Sequence, residues 1–153
     1  MPRSDWLNDD FDDRLRIAVY RYTIREGSVP TVAEAAKVLK ATVRQVRSGL
    51  LRLSQSHAFM LQEDGELWRA APFSAIPTPF PVQVQKRSWF GNCIWDALGI
   101  PAMLGKDAHI GASCGCCNLE MPIEVKDQRL ISGRGIIHIA VPAREWYKDV
   151  VFT

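Results

Sequence analysis

Apolar residues recur every three or four positions along the first part of the chain, which is the spacing of one buried helix face. This pattern predicts a first helix over residues 9–26, ended by Gly27. A second helix follows Thr31, since Glu34 three residues later completes a capping box. A third helix begins near Thr42. Helix, short helix and helix in this order indicate a helix-turn-helix unit.

Two short apolar stretches then flank the pair Asp64-Gly65, which is typical of a tight β-hairpin turn. A helix-turn-helix followed by a hairpin predicts a winged helix over residues 1–70. Four prolines favour an extended connector over residues 71–81, where neither helical nor alternating patterning is present. We take this connector as the boundary between two subdomains.

The remaining segment, residues 82–153, is predicted to be mostly sheet with one short helix. Alternation at Val82 and Val84 predicts a strand, and residues 92–99 form a helix that Ile100-Pro101 should end. Further strands are expected at residues 109–113, 121–125, 128–131 and 135–141. The fold class is therefore α+β, with an N-terminal winged helix-turn-helix subdomain and a C-terminal mixed sheet.

Composition and charge exclude several classes of protein. The 153 residues are 47% hydrophobic and 24% charged, which are ordinary globular values. The net charge of +2 is too small to predict nucleic-acid or membrane binding from bulk charge alone. The sequence contains neither a secretory signal pattern nor an apolar run long enough to span a bilayer. We therefore expect a cytoplasmic protein with reduced cysteines.

The third helix carries a local group of cations that could contact DNA. It presents Arg44, Arg47 and Arg52, with Lys37 and Lys40 just before it. A recognition helix needs such cations for phosphates and base edges, although a solvated helix face has the same composition. Since residues 1–75 hold eleven basic and ten acidic residues, we expect no specific DNA binding.

A cysteine and an aspartate at the predicted fourth helix form the most specific local motif. If Asn92 caps this helix, Cys93 lies in its first turn, where unpaired amides and the helix dipole favour a thiolate. Asp96, three residues later, falls on the same helical face. This places a soft nucleophile beside a proton-carrying group. The alternative is a buried structural cysteine with an exposed aspartate.

Three further cysteines are crowded into the run Cys114-Gly115-Cys116-Cys117. Cys114 and Cys117 have the spacing of a zinc knuckle, but a structural zinc needs four ligands. The candidates to complete the set are His109, His138, Cys93 and Cys116. Binding of a soft thiophilic ion is the alternative, because thiolates select such ions. The candidate metal ligands are therefore Cys93, Cys114, Cys116 and Cys117.

The run SWFGNCIWDALGIPAMLGKDAHIGASCGCCNLEMPIEV, which begins at Ser88, resembles the core of the alkylmercury (organomercurial) lyase family. The resemblance extends over most of residues 71–142, and that family also carries a winged-helix N-terminal part. It implies that Cys93 is the first catalytic cysteine and Asp96 the catalytic aspartate. It further implies that Cys114 is structural.

The resemblance also implies a second catalytic cysteine after the later strands, beyond residues 146–152, and the sequence reaches Thr153 without one. Three alternatives stay open at this stage. The chain is a short or divergent member, or Cys116 or Cys117 substitutes, or the lyase activity is absent.

These observations lead to one leading hypothesis and two alternatives. The leading hypothesis is a lyase-like enzyme that captures an organomercurial on a thiol and cleaves its carbon–mercury bond by protonation. The alternatives are a metal-responsive winged-helix regulator and a non-catalytic thiol metal-binding module. For the enzyme we expect no organic cofactor, mercuric ion as product and small thiols as partners.

Overall fold

The structure is a computed structural model that describes residues 4–139, 141–146 and 148. These residues form four α-helices, eight β-strands and one 3-10 turn. The helices are α1 (Ser4–Glu26), α2 (Val32–Leu39), α3 (Val43–Gln55) and α4 (Ile94–Leu104). The strands are β1 (Met60–Leu61), β2 (Leu67–Ala70), β3 (Phe73–Ser74), β4 (Pro81–Val84), β5 (Arg87–Gly91), β6 (Ala108–Ile110), β7 (Ile123–Lys126) and β8 (Arg129–Ser132), and the 3-10 turn is Ala143–Glu145. The predicted α+β class is confirmed.

The second and third helices begin where the sequence places their caps, whereas α1 begins at Ser4, five residues before its predicted start. Thr31 accepts a hydrogen bond from the Glu34 N–H, and the Glu34 side chain accepts one from the Thr31 N–H, which is the predicted capping box. Thr42 and Gln45 form a second capping box at the start of α3. Satisfying these free amides fixes the start of both helices.

The predicted hairpin is present as the antiparallel pair β1 and β2, with Gly65 at φ +81° in its turn. The positive φ explains why glycine is favoured there. Three helices followed by this hairpin are consistent with a winged helix, and that label stays our interpretation of the N-terminal part.

The sheet does not stop at the proline-rich segment. β3 lies within it and pairs with β2 on one side and β5 on the other. The strand order in the sheet is β1-β2-β3-β5-β4-β6-β7-β8, and every pairing in the described residues is antiparallel. The prediction of a mixed sheet is therefore wrong, because short turns rather than crossover helices join most strands.

Two apolar clusters lie along this sheet. The first packs α1, α2, α3 and the hairpin, and the second packs α4 against β3 to β7. Tyr20 and Val29 contact both clusters. In addition, the indole N–H of buried Trp89 donates to the carbonyl of Thr23 at 2.8 Å. The division at residues 71–81 stays a prediction, and these contacts join the two sides of it.

The prediction for α4 is wrong at both ends. The N-cap residue is Cys93 rather than Asn92, and the helix continues through Pro101 to Leu104. Pro101 is fully buried and has no N–H to donate within the helix, although its fixed φ is compatible with helical backbone. The helix ends at Gly105, whose φ of 60° supplies the left-handed C-cap.

The strands predicted at residues 109–113, 121–125 and 128–131 are confirmed as β6, β7 and β8. Their observed ends differ from the predicted ends by one to three residues. The predicted strand at residues 135–141 is wrong: the described residues of that span contain no strand, and residue 140 lies outside the described part. Strands β3 and β5 were not predicted, because their few residues carry no regular alternation.

In the described part of the chain, no helix is both long and apolar enough to cross a membrane.

Gly91 is required where β5 meets α4. A Cβ added there would lie 2.6 Å from the Ala97 nitrogen and 2.8 Å from its Cα, and backbone atoms cannot move aside without displacing the helix. We therefore expect Gly91→Ala to lower the free energy of unfolding by about 1–3 kcal/mol, measured by urea denaturation.

The matched control is Gly99→Ala, which lies inside α4 and would meet only Pro72 at an ordinary 3.5 Å. This substitution should be neutral or stabilising by roughly 0.5–1 kcal/mol, because alanine favours helix more than glycine. Equal destabilisation by both variants would contradict the proposed close approach.

Candidate functional site

Cys93 lies at the junction of sheet and helix. It is the N-cap residue of α4, with extended backbone (φ −146°, ψ −178°), and its carbonyl accepts the Ala97 N–H at 2.9 Å. Its side chain makes no capping hydrogen bond and is half-buried. The predicted place in the first turn is thus wrong by one position. The thiol nonetheless lies next to the unpaired amides of the helix N-terminus, which favour negative charge.

Asp96 lies in the first turn of α4 and is half-buried. Burial raises the pKa of its carboxyl above the ordinary value. A hydrogen bond from Asn92 and the positive charge of Arg69 oppose this shift and lower the pKa, but burial is the larger effect. The site therefore holds a carboxyl group that takes up a proton more readily than an exposed aspartate.

Asn92 acts as a support for Asp96 rather than as the helix cap. Its Nδ2 donates to Asp96 Oδ2 at 2.8 Å and to the Phe73 carbonyl at 3.4 Å. Its Oδ1 is buried and has no hydrogen-bond partner among the described residues. The amide thus links α4 to β3 and orients the carboxylate.

Arg69 is a site residue that the sequence analysis missed. Its charge interacts with both Asp96 and Cys93, and these two groups raise its pKa while burial, the larger effect, lowers it. The guanidinium also lies 4.3 Å from the centre of the Trp68 ring. No sequence spacing indicates this contact, since Arg69 reaches the site only through the pairing of β2, β3 and β5.

Tyr20 is the second missed residue, contributed by α1. Its hydroxyl donates to the Ala71 carbonyl at 2.9 Å. Burial raises its pKa, Arg16 lowers it, and the Asp96 carboxylate adds a further rise. The helical spacing of α1 does not single out Tyr20, whereas the Asp96 carboxylate is close enough to raise the pKa of its hydroxyl.

The other three cysteines lie in the loop between β6 and β7. Cys114 is half-buried, whereas Cys116 and Cys117 are exposed, and none of the four cysteines is in a disulfide. Hydrogen bonds from the Cys116 N–H, the Cys117 N–H and the Cys117 side chain lower the pKa of Cys114, in that order of size.

The predicted metal ligands do not form one set. No three His, Cys, Asp or Glu side chains in the described part of the chain could hold a metal ion together. Hence Cys116 and Cys117 do not join Cys93 and Asp96 in such a group. His109 is instead paired with Glu124 at 2.5 Å on the sheet. The structure gives no support for structural zinc, which the sequence left as one alternative, because the described residues do not assemble a tetrahedral set of ligands.

Two of the three arginines on α3 are engaged within the protein. Arg52 binds both carboxylate oxygens of Asp12, at 2.7 and 2.8 Å. Arg47 donates to the Asp64 carbonyl at 2.7 Å and lies 3.6 Å from the Glu66 carboxylate. These contacts reduce the charge that the predicted recognition helix could offer to a phosphate backbone.

Comparison with solved structures supports the fold. A mercury-bound form of MerB2 is similar to this chain with a TM-score of 0.61 at 20% sequence identity. The similarity covers 82% of this chain and 66% of MerB2, so the chain spans a little less than two thirds of that protein. No curated protein sequence matches the chain.

The sequence also matches a family model. The model for alkylmercury lyase, MerB, covers residues 73–153, which include β3, α4 and every strand that packs on α4. Cys93, Asp96 and the cysteine loop all lie in this matched segment. The chain therefore belongs to the alkylmercury lyase family, as its sequence resemblance implied.

Proposed function

We propose that the protein cleaves the carbon–mercury bond of an organomercurial, with Cys93 as the capturing thiol and Asp96 as the proton carrier. The observation that carries the proposal is the placement of a half-buried carboxyl with a raised pKa three residues after a half-buried free thiol. Membership in the alkylmercury lyase family supports the choice of substrate. The similarity to a mercury-bound structure supports the fold in which these residues lie.

The first step is capture on Cys93. Its thiolate attacks mercury in a compound R–Hg–X, a sulfur–mercury bond forms and X⁻ leaves. The free amides at the N-terminus of α4 favour the negative charge that this attack requires. Thiolate sulfur is the ligand that soft cations prefer.

The second thiolate is assigned to a small thiol. Cys116 and Cys117 do not form a metal-capable group with Cys93 and Asp96 in the described residues, so they give no basis for the second role. A small thiol transfers its proton to the Asp96 carboxylate, and the resulting thiolate binds mercury. Added electron density on mercury weakens the carbon–mercury bond.

Asp96 then protonates the departing carbon. The electron pair of the carbon–mercury bond takes the proton, the hydrocarbon R–H leaves, and Asp96 returns to its carboxylate form. Mercury stays bound to Cys93 and the small thiolate until a second small thiol exchanges with Cys93. The exchange returns the proton to Cys93, so atoms and charge balance, and these steps use no organic cofactor. We also propose a cytoplasmic location, where such thiols are kept reduced.

We expect Cys93→Ser to abolish both capture and cleavage of a phenylmercury compound, because it removes the attacking sulfur. Asp96→Asn should retain capture and lose cleavage, with at least a 10²-fold fall in hydrocarbon release, the usual loss when a proton-transfer group is removed. Capture is measured by mass spectrometry of the adduct, and cleavage by release of benzene. Hydrocarbon release should also rise with the concentration of added small thiol.

The control for folding is the urea midpoint of each variant against the unsubstituted protein. Unchanged benzene release by folded Cys93→Ser would refute this mechanism. Release by the unsubstituted protein that is independent of added thiol would refute the assignment of the second thiolate.

We expect Arg69→Gln to raise the pKa of Asp96, because the positive charge of Arg69 lowers that pKa in the unsubstituted protein. Asp96 must be ionised to accept the proton from the small thiol, so cleavage is lost as pH falls through this pKa. The loss should therefore begin at a higher pH in Arg69→Gln, in a pH profile of kcat/KM.

Arg69→Lys is the matched control, since it keeps the charge and should shift the profile less. A carboxyl carbon NMR titration, with the Asp96 signal assigned through Asp96→Asn, gives a readout independent of turnover. An Asp96 pKa that is the same in all three proteins would contradict the role of Arg69.

We expect the helical part not to bind duplex DNA with sequence specificity, because Arg52 and Arg47 are paired with acidic residues. Mobility-shift assays over a range of salt concentrations test this. A steep fall of affinity with salt, with a preference of roughly 10³-fold for one site, would favour the regulator instead.

A further inference from the structure

The side-chain amide of Asn92 lies between the carboxylate of Asp96 and strand β3. Its Nδ2 donates to Asp96 Oδ2 at 2.8 Å and, over a longer 3.4 Å, to the carbonyl of Phe73. Phe73 is fully buried and pairs with Gly91, the residue that precedes Asn92. The pairing of β3 with β5 therefore places the amide beside the first turn of α4.

The two contacts engage the amide nitrogen of Asn92 with two acceptors. An amide NH2 group carries two hydrogens and is a donor only, so it can accept a proton from neither neighbour. The amide oxygen is buried and has no hydrogen-bond partner among the described residues. A buried acceptor without a partner lowers stability, because it has lost its hydrogen bonds to water. In the described residues the side chain thus acts as a donor and not as an acceptor.

The Phe73 carbonyl determines which way round the amide lies. Rotating the amide by half a turn would place its oxygen against the Phe73 carbonyl oxygen, so that two acceptors would face each other. Protonation of Asp96 changes only one of the two contacts, because the backbone carbonyl of Phe73 remains an acceptor. We therefore expect Asn92 to keep its donor orientation in both protonation states of Asp96.

We propose that Asn92 is a positioning residue that holds Asp96 Oδ2 as an acceptor, so that the proton enters and leaves the carboxyl group at Asp96 Oδ1. The inference rests on the proposed function and deepens it. The proton passes from the small thiol to Asp96 Oδ1, and from there to the carbon atom that leaves mercury. Such a transfer requires the donor oxygen in one place, and a single rotamer of Asp96 provides this.

The test uses Asn92→Leu, which keeps the approximate shape of the side chain and removes the amide. Asn92→Ala removes the same contacts without adding bulk, and the urea midpoint of each variant controls for folding. In the protein without substrate, three-bond NMR couplings to the Asp96 Cβ protons report its χ1 rotamer. We expect one staggered rotamer in the unsubstituted protein and averaging over rotamers in both variants.

The second readout separates capture from cleavage. A phenylmercury compound is first loaded on Cys93, and benzene release from this adduct is then followed over a single turnover after a small thiol is added. Both Asn92 variants should form the adduct as the unsubstituted protein does. Benzene release should fall by roughly 10-fold or more, because a misplaced proton donor slows transfer to carbon.

Thr78→Val is the matched control, since it also removes a side-chain hydrogen bond at this strand end. The Thr78 hydroxyl donates to the Gly91 carbonyl at 2.5 Å, next to Asn92 in the chain, rather than to Asp96. This variant should keep Asp96 in one rotamer and should release benzene from the adduct at an unchanged rate.

The proposal is overturned if Asp96 keeps one rotamer in both Asn92 variants, or if Thr78→Val causes the same averaging. It is also overturned if the rotamer averages while benzene release from the adduct stays unchanged. An unsubstituted protein that releases no benzene would refute the proposed function instead. The rotamer measurement needs no substrate, so it still decides whether Asn92 positions Asp96.

Discussion

The candidate site depends on strand β3, which is two residues long and joins the hairpin to the rest of the sheet. Ser74 pairs with Arg69 of β2, while Phe73 pairs with Gly91 of β5. Asn92 and Cys93 follow Gly91 directly, so these pairings bring the arginine of the hairpin to the start of α4. The close approach of Gly91 to Ala97 then fixes the helix N-terminus against the strand end. A side chain at position 91 would therefore meet the backbone of α4 at Ala97.

The pKa of the Asp96 carboxyl is set by opposing effects. Burial favours the neutral acid, whereas the Asn92 amide and the Arg69 charge favour the carboxylate. The role proposed for Asp96 requires its side chain to accept a proton and then donate it, so both protonation forms must be accessible. The Asn92 amide directs its donor group toward Asp96 and the Phe73 carbonyl, while its Oδ1 has no hydrogen-bond partner among the described residues.

The sequence predicted those features that depend on neighbours along the chain. The Thr31 cap, the Asp64-Gly65 turn and the Cys93–Asp96 spacing follow from local chemistry, and the family membership followed from a continuous run of residues. The sequence did not predict the C-terminal end of α4, because the helix continues through Pro101 to Leu104 where a proline usually ends one.

The parts set by pairing between distant segments could not be predicted in this way. Arg69 and Tyr20 reach Asp96 from a strand and a helix that are far away in sequence, and neither residue has a spacing that marks it. The antiparallel register of the sheet is also set by pairing between distant segments. Several of its strands are too short for the sequence to show an alternation of buried and exposed residues. Conversely, the sequence grouped Cys93 with the later cysteines by residue type alone, and the fold does not assemble them into one metal-capable group.

This separation has a chemical consequence. The proposed cleavage needs a thiolate beside a proton carrier, and the partial burial of Asp96 raises the pKa of its carboxyl. The acidic residue nearest to the cysteine turn along the chain is Glu120, and it is exposed. In the described residues, the later cysteines form no group of three or more with a carboxylate that could hold a metal ion. The proposed cleavage is therefore confined to Cys93 and Asp96, where the fold places a half-buried thiol and a half-buried carboxyl three residues apart at the start of α4.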